Sequence, residues 1–274
     1  MKLIAWDTSS KTGALAALEW EPSGQPSTAA GVRLVCEWTL NLDSAQHSER
    51  LMWSIDKMLE AAGWRLKDID VFGVGVGPGS FTGLRIGITT ARTLAHTLGK
   101  PLVGVSSLAA LARPVASWIS DPSTLVVAAT DACKGELFAL WGKAAQVAGS
   151  SCAPGEQGSG LWGNGVQEKV LTPKELMVQI EQQLEPGQKW VAVGEGTRRY
   201  LSAWAQLPEA QRLTVPVPFS EGVQGRTLAL LAWEAWQSGI STPALSVQPR
   251  YLRASDAEIK LKAGLLPQGP TRGV

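Results

Sequence analysis

The chain holds only two histidines and three cysteines in 274 residues, and it has no long apolar run. Each shortage removes a class of function. Zinc and iron centres draw on about three protein ligands, and neither His47 nor His96 has a second histidine one helical turn away, so a metal centre is not expected. A Ser-His-Asp relay would have to borrow one of the same two residues, and no G-x-S-x-G elbow is present to place its serine. Cys36, Cys133 and Cys152 are odd in number and form no C-x-x-C pair. That argues against a disulfide framework and a cysteine zinc site, and fits a reducing, cytoplasmic setting. No stretch approaches the roughly 18 to 20 apolar residues that cross a bilayer, and the first apolar run stops at Asp7, so a soluble, unexported protein with no membrane contact is expected. Charge of one sign is missing too. Lys and Arg total 25 against 24 Asp and Glu, which leaves no field strong enough for an autonomous nucleic-acid binder, and any RNA connection would need a partner.

What is present asks for two lobes, since the length is about twice that of an ordinary domain. Lys2 to Trp6, Ala14 to Trp20 and Val32 to Leu40 read as a three-stranded meander with turn formers in 21–31. Leu51, Ile55, Met58 and Ala62 recur at helical spacing, with Ser44 or Ser48 as a cap and Gly63 just past the end. A strand at Ile69 to Val76, a helix at Leu84 to Leu98 stopping at Gly99, and a strand at Pro101 to Val105 complete the order βββαβαβ. Leu125 to Gly142 then repeats the opening plan, with Asp131 and Gly135 echoing Asp7 and Gly13, so a duplicated α/β unit is expected. Residues 144–165 are small, polar and glycine-rich and read as a flexible insertion. Thr172-Pro173 caps a helix to Leu184; a strand at Trp190 to Val193, a turn at Gly194 to Gly196 and a helix at Arg226 to Trp236 complete the second lobe. The expected boundaries are 1–108 and 109–253, with a tail at 254–274.

The stretch GVGVGPGSFTGLRIG, Gly73 to Gly87, carries six glycines. Strand, glycine turn and helix N-terminus have the outline of an anion cradle, yet neither G-x-x-x-x-G-K-[ST] nor G-x-G-x-x-G is matched. Leu84, Ile88, Ala91, Ala95 and Leu98 form one apolar stripe. Gly83 and Gly87 lie one turn apart inside the helix, where glycine costs about 1 kcal/mol against alanine, so another backbone is expected to approach them, preferably a neighbouring helix of this or another subunit. Asp7 and Asp131 stand at strand ends beside tight turns. Either can serve a metal–phosphate or simply bind the turn N–H groups. With Ser80, Thr82 and Arg85 they are the candidates for a phosphate contact. Most of the twelve tryptophans read as packing, with Trp53 and Trp64 as possible interface residues.

Asp7-Thr8-Ser9, His47-Ser48-Glu49, the block Gly77 to Gly87, Gly104-Val105-Ser106-Ser107-Leu108, Asp131 with Gly135-Glu136, and Tyr251-Leu252-Arg253 together closely resemble the TsaB (YeaZ) family. The resemblance runs along nearly the whole chain. It implies the two-lobed actin-like/Hsp70-like ATPase (ASKHA) fold, an α/β architecture of duplicated βββαβα-type units. It also implies a non-catalytic role, without cofactor, in threonylcarbamoyladenosine formation on tRNA, as the partner of the TsaD enzyme with the small ATPase TsaE also joining and tRNA engaged indirectly. TsaD enzymes carry a metal-binding H-x-x-x-H where this chain has Ser107 and Leu111. The family's docking surface, used for TsaD or for a homodimer, falls on helices at about 48–62 and 83–98. The residues implied for it are His47, Leu51, Ile55, Gly79, Phe81, Thr82, Gly83, Arg85, Ile86, Gly87 and Thr90. Two positions depart from the family: Cys133 stands where Arg is frequent, and Asp256-Ala257-Glu258 where an aromatic residue follows the Tyr-Leu-Arg motif. The alternative from another class is an ATP-dependent enzyme of the same fold, a kinase or carbamoyl transferase guiding Mg-ATP with Asp7 and Asp131; a metallopeptidase stands further off.

Overall fold

The computed structural model describes residues 1–20, 31–41, 47–149, 165–205, 207–214 and 222–253; the side chains of 41, 47–49 and 201 lie outside the description, as do the whole 254–274 tail and Ser44. The first lobe runs β1 (Lys2–Asp7), β2 (Thr12–Trp20), β3 (Val32–Asn41), α1 (His47–Ala62), β4 (Val71–Gly77), α2 (Phe81–Leu98) and β5 (Leu102–Ser106). Next come α3 (Ser107–Trp118), β6 (Leu125–Asp131), β7 (Leu137–Lys143), α4 (Ala144–Gly149), β8 (Gln167–Leu171), α5 (Pro173–Gln183) and β9 (Trp190–Val193). Short helices α6 (Glu195–Arg199) and α7 (Leu201–Trp204) and a longer α8 (Gly225–Gln237) follow.

Two sheets carry the same plan. The first has strand order β3-β2-β1-β4-β5 and the second β8-β7-β6-β9. In each, a meander of antiparallel strands is joined through its first strand to a parallel neighbour. Asp7 pairs in register with Ala14 and Asp131 with Leu137, so the two aspartates occupy equivalent ends of equivalent strands. The expected duplication is therefore present, with five strands in the first sheet and four in the second among the described residues; an isolated parallel bridge from Trp190 to Arg212 stands at the β9 edge.

Both central strands are apolar along Leu3–Trp6 and Leu125–Ala129 because both of their faces are covered there. From β1, Ile4 and Trp6 face an outer core under α1 and α2, while Leu3 and Ala5 face a middle core shared with Val126 and Ala128 of β6. Leu125, Val127 and Ala129 face a third core that includes Leu176 and Ile180 of α5 and Trp204 of α7. Helices α3 and α8 contribute to the middle core, between the sheets.

Several expectations change here. The helix expected to complete the second lobe, α8, packs instead on the first sheet: an added Cβ on Gly225 would meet the Leu15 carbonyl oxygen at 2.3 Å, and one on Gly73 would meet the Ala232 Cβ at 2.8 Å. Small residues clear that face, Gly73 beside Ala5, Ala14 and Ala16, and draw the helix back. Helix α3, absent from the sequence reading, is apolar nearly all round and contains Pro114, so it shows neither a polar stripe nor an unbroken pattern. The reading of 144–165 as one insertion fails at its start, where α4 buries Ala144 and Val147; residues 150–164 lie outside the description. The expected turn at Gly194 to Gly196 opens α6, and Ser48 lies inside α1 rather than capping it.

A buried Asp7 site beneath a candidate docking face

The end of β1 explains the glycine block. An added Cβ would overlap Asp7 Oδ2 from Gly75 at 1.8 Å, the Ser9 carbonyl oxygen from Gly79 at 2.3 Å, the Thr8 carbonyl oxygen from Gly83 at 1.9 Å, and Thr8 Oγ1 from Gly87 at 2.3 Å. Four glycines spaced four residues apart thus clear a path for Asp7-Thr8-Ser9. What approaches Gly83 and Gly87 is Thr8, the residue after the chain's own first strand, by its carbonyl at Gly83 and by its side chain at Gly87, which corrects the expectation of a neighbouring helix. Polar bonds fix the contact: Thr8 Oγ1 donates to the Gly83 carbonyl at 2.7 Å, Trp6 Nε1 to the Gly87 carbonyl at 3.0 Å, and Ser80 N to the Ser9 carbonyl at 2.6 Å.

Asp7 itself is fully buried. Its Oδ1 accepts from Ser9 N at 2.9 Å and Ser9 Oγ at 2.6 Å, and its Oδ2 accepts from Ser107 Oγ. Ser107 Oγ in turn accepts from Gly77 N at 3.2 Å. Burial pushes the Asp7 carboxyl above its ordinary range, and the hydrogen bonds from Ser107 and Ser9 pull it back without cancelling that rise. A carboxylate so enclosed can meet Mg-ATP only if Ser107 and the Gly77–Gly79 turn move away.

Of the other phosphate candidates, Ser80, Arg85 and Asp131 already have partners. Ser80 Oγ accepts from Gly83 N at 3.3 Å as the cap of α2. Arg85 lies over the Phe81 ring at 3.8 Å and donates to Tyr251 Oη at 3.2 Å. Asp131 accepts from Cys133 N at 3.1 Å and pairs with Arg199. Thr82 is exposed. Ser107 and Leu111, aligned by the resemblance with the metal-binding histidines, are a hydroxyl bonded to Asp7 and a buried leucine; this donor pair does not suit a metal ion. Among the described residues no group of three or more His, Cys, Asp or Glu is placed to hold one.

The outward side of α1 and α2 has a different character. Of the residues expected at an interface, Leu51, Ile55, Gly83 and Gly87 are buried in the chain's own core, Gly79, Ile86 and Thr90 are half-buried, and Phe81, Thr82 and Arg85 are exposed. The His47 side chain lies outside the description. Trp64 is buried, whereas Trp53 is 60% exposed and Met52 45%. Phe81, 40% exposed, stacks on Tyr251, 44% exposed, with ring centroids 5.0 Å apart. Trp53 was a candidate from sequence, whereas Met52 and Tyr251 were missed. Met52 lies off the apolar stripe of α1, which was the available signal for it; Tyr251 approaches Phe81 only through the fold. No helix among the described residues is long and apolar enough to cross a membrane.

Two sheets of one plan, each with an aspartate at the end of its central hairpin, define a two-lobed α/β chain of the actin-like/Hsp70-like ATPase fold. Residues 41–261 match the family model described as "TsaD: tRNA N6-adenosine threonylcarbamoyltransferase". Within that group the chain belongs to the TsaB (YeaZ) family. It is 31% identical over 242 residues to the tRNA threonylcarbamoyladenosine biosynthesis protein TsaB of Escherichia coli (strain K12), an alignment covering 85% of this chain and 94% of that one. The solved structure of YeaZ from Pseudomonas aeruginosa superimposes with a TM-score of 0.64 at 26% identity, covering 91% of this chain and 100% of that one. A second Pseudomonas aeruginosa structure, described as an uncharacterized protein with similarity to peptidase YeaZ, gives a TM-score of 0.67 at 26% identity and covers 92% and 99%.

Proposed function

We propose that the chain is a non-catalytic subunit of tRNA threonylcarbamoyladenosine biosynthesis in the cytoplasm. It binds and activates a TsaD-type threonylcarbamoyltransferase, with TsaE joining the assembly and tRNA engaged through the partners. The observation that carries this reading is the pairing of Ser107 with Asp7. At the position the resemblance aligns with a TsaD metal ligand, a serine closes the strand end instead of opening it to a reactant. Family membership supports the pathway, and the exposed Met52, Trp53 and Phe81 support a docking face on α1 and α2.

A subunit with no reacting group acts by differential binding: it favours the productive state of its partner to the extent that it binds that state more tightly. The decisive experiment is reconstitution of TsaD, TsaE and tRNA with and without this chain. The expected result is modification that depends on the chain, with no turnover and no ATP hydrolysis by the chain alone. ATP hydrolysis by the isolated chain that is lost in Asp7→Ala would favour the kinase-like alternative instead. Self-association that TsaD fails to compete away would point to a homodimer as the occupant of the same face.

A further inference from the structure

The proposed function assigns no role to the Tyr251-Leu252-Arg253 motif as a unit, and the structure places it in a segment that touches both lobes. Val247 is buried in the outer core of the first lobe. Three residues on, Arg250 N donates to the Val76 carbonyl of β4 at 2.8 Å, while its guanidinium pairs with Glu168 of β8 in the second sheet. That pair is shielded, with Arg250 10% and Glu168 1% exposed. Ser106 Oγ, at the end of β5, donates to the other Glu168 oxygen at 3.2 Å. One carboxylate of the second sheet is thus held by two groups anchored on the first.

The next residues alternate between lobes. Tyr251 stacks on Phe81 and accepts from Arg85, both on α2. Leu252 packs on the middle core between the sheets. Arg253 Nη1 donates to the Ala132 carbonyl at 2.8 Å, and its Nε lies 3.1 Å from Glu136 Oε2, so it grips the β6–β7 turn. In that turn Cys133 and Lys134 both adopt positive φ, 62° and 53°, a backbone that side chains seldom take without outside support.

We infer that Arg250–Arg253 is a coupling strap joining the exposed α2 face of the first lobe to the β6–β7 turn of the second, so that occupancy of one changes the order of the other. The identity of the docking partner rests on the function proposed above; the strap itself does not. Coupling of this kind is reciprocal, so a ligand that orders the turn must also favour the face.

Amide hydrogen exchange on the full chain tests it in two arms. In the free chain, Tyr251→Ala is expected to raise exchange at least fivefold in 132–136, which Tyr251 does not itself bond, while Thr89→Ala, exposed on α2, leaves it unchanged. Unaltered exchange in 132–136 for Tyr251→Ala, or an equal rise for Thr89→Ala, overturns the strap. In the second arm, TsaD added to the wild-type chain is expected to slow exchange in both α2 and 132–136, and Glu168→Gln, remote from the exposed face, to weaken TsaD binding roughly fivefold or more. Protection of α2 without protection of the turn overturns the coupling. Failure of TsaD to bind the wild-type chain overturns the proposed function, and the first arm still decides the strap.

Discussion

Gly83 and Thr8 are locked together from both sides: the Thr8 hydroxyl donates to the Gly83 carbonyl at 2.7 Å, and a Cβ on Gly83 would lie 1.9 Å from the Thr8 carbonyl oxygen. The glycine that weakens α2 as a helix is what lets the helix lie on β1. Replacing it with alanine gains about 1 kcal/mol of helix propensity and forces a backbone apart, because a carbonyl cannot rotate away as a side chain can. Gly83→Ala is therefore expected to cost a net 2 kcal/mol or so. Gly87→Ala, which meets the movable Thr8 Oγ1, should cost less, about the value of one hydrogen bond, roughly 1 kcal/mol. Gly149→Ala, with nothing within 4 Å among the described residues, is the control and should be neutral or slightly stabilising. Urea unfolding of the three variants gives the order, and a neutral Gly83→Ala would contradict the packing.

The exposed residues of the same two helices predict the opposite pattern. Trp53→Ala removes a side chain that is mostly in solvent and Phe81→Ala one that is 40% exposed and rests on Tyr251, so stability should move by no more than about 1 kcal/mol for the first and somewhat more for the second. At least one should weaken TsaD binding by about 2 kcal/mol, near thirtyfold, if large aromatics anchor the interface as they commonly do. Calorimetric titration measures both. Full affinity in both variants would remove the docking face from α1 and α2.

Local pattern carried most of the first lobe. Strand and helix limits at Val32, Ala62 and Leu98 follow from alternation, a 3.6-residue period and glycine stops at Gly63 and Gly99, both at positive φ. The duplication was readable because Asp131 and Gly135 repeat Asp7 and Gly13 at a strand end. Long-range choices were not. Nothing local tells α8 to return to the first sheet, since Ala229 and Ala232 would suit any small-residue face. The partner of Gly83 and Gly87 was equally hidden: the sequence calls for a close backbone but does not name Thr8, which lies 75 residues away. Glu168 sits in the short, polar β8, too weakly patterned to be read as a strand.

The Arg250–Glu168 pair should dominate the energetics between the lobes. Removing one partner of a shielded ion pair strands the other charge and typically costs about 3 to 5 kcal/mol. Glu168→Ala is therefore expected to destabilise by about 3 kcal/mol, while Glu168→Gln, still able to accept from Ser106, should lose less. Arg250→Met combined with Glu168→Leu should recover part of the loss by replacing two desolvated charges with apolar groups. Thermal unfolding of the set reads the order. Additive losses in the double variant would mean that the two side chains act independently.

Asp7 predicts a pH dependence whose sign follows from its enclosure. Its carboxyl is raised above the ordinary value of 3.8 by burial, so the folded state binds the Asp7 proton more tightly than the unfolded state does. Below the unfolded value the group is protonated in both states and exacts no ionisation cost; as pH rises through the folded value, that cost appears and stability falls. Asp7→Asn cannot ionise, yet its Oδ1 can accept from Ser9, and Ser107 Oγ can reverse its role to accept from the Asn amide while keeping Gly77 N. The variant should fold. Other carboxylates titrate alike in both proteins and cancel in the difference, so the stability of wild type relative to Asp7→Asn is expected to rise as pH is lowered from 7 toward 4. Paired urea titrations at each pH measure that difference. A constant gap would mean that Asp7 ionises as freely in the folded chain as in water, and a shift toward the variant in acid would mean that the hydrogen bonds from Ser107 and Ser9 outweigh its burial; either overturns the expected sign.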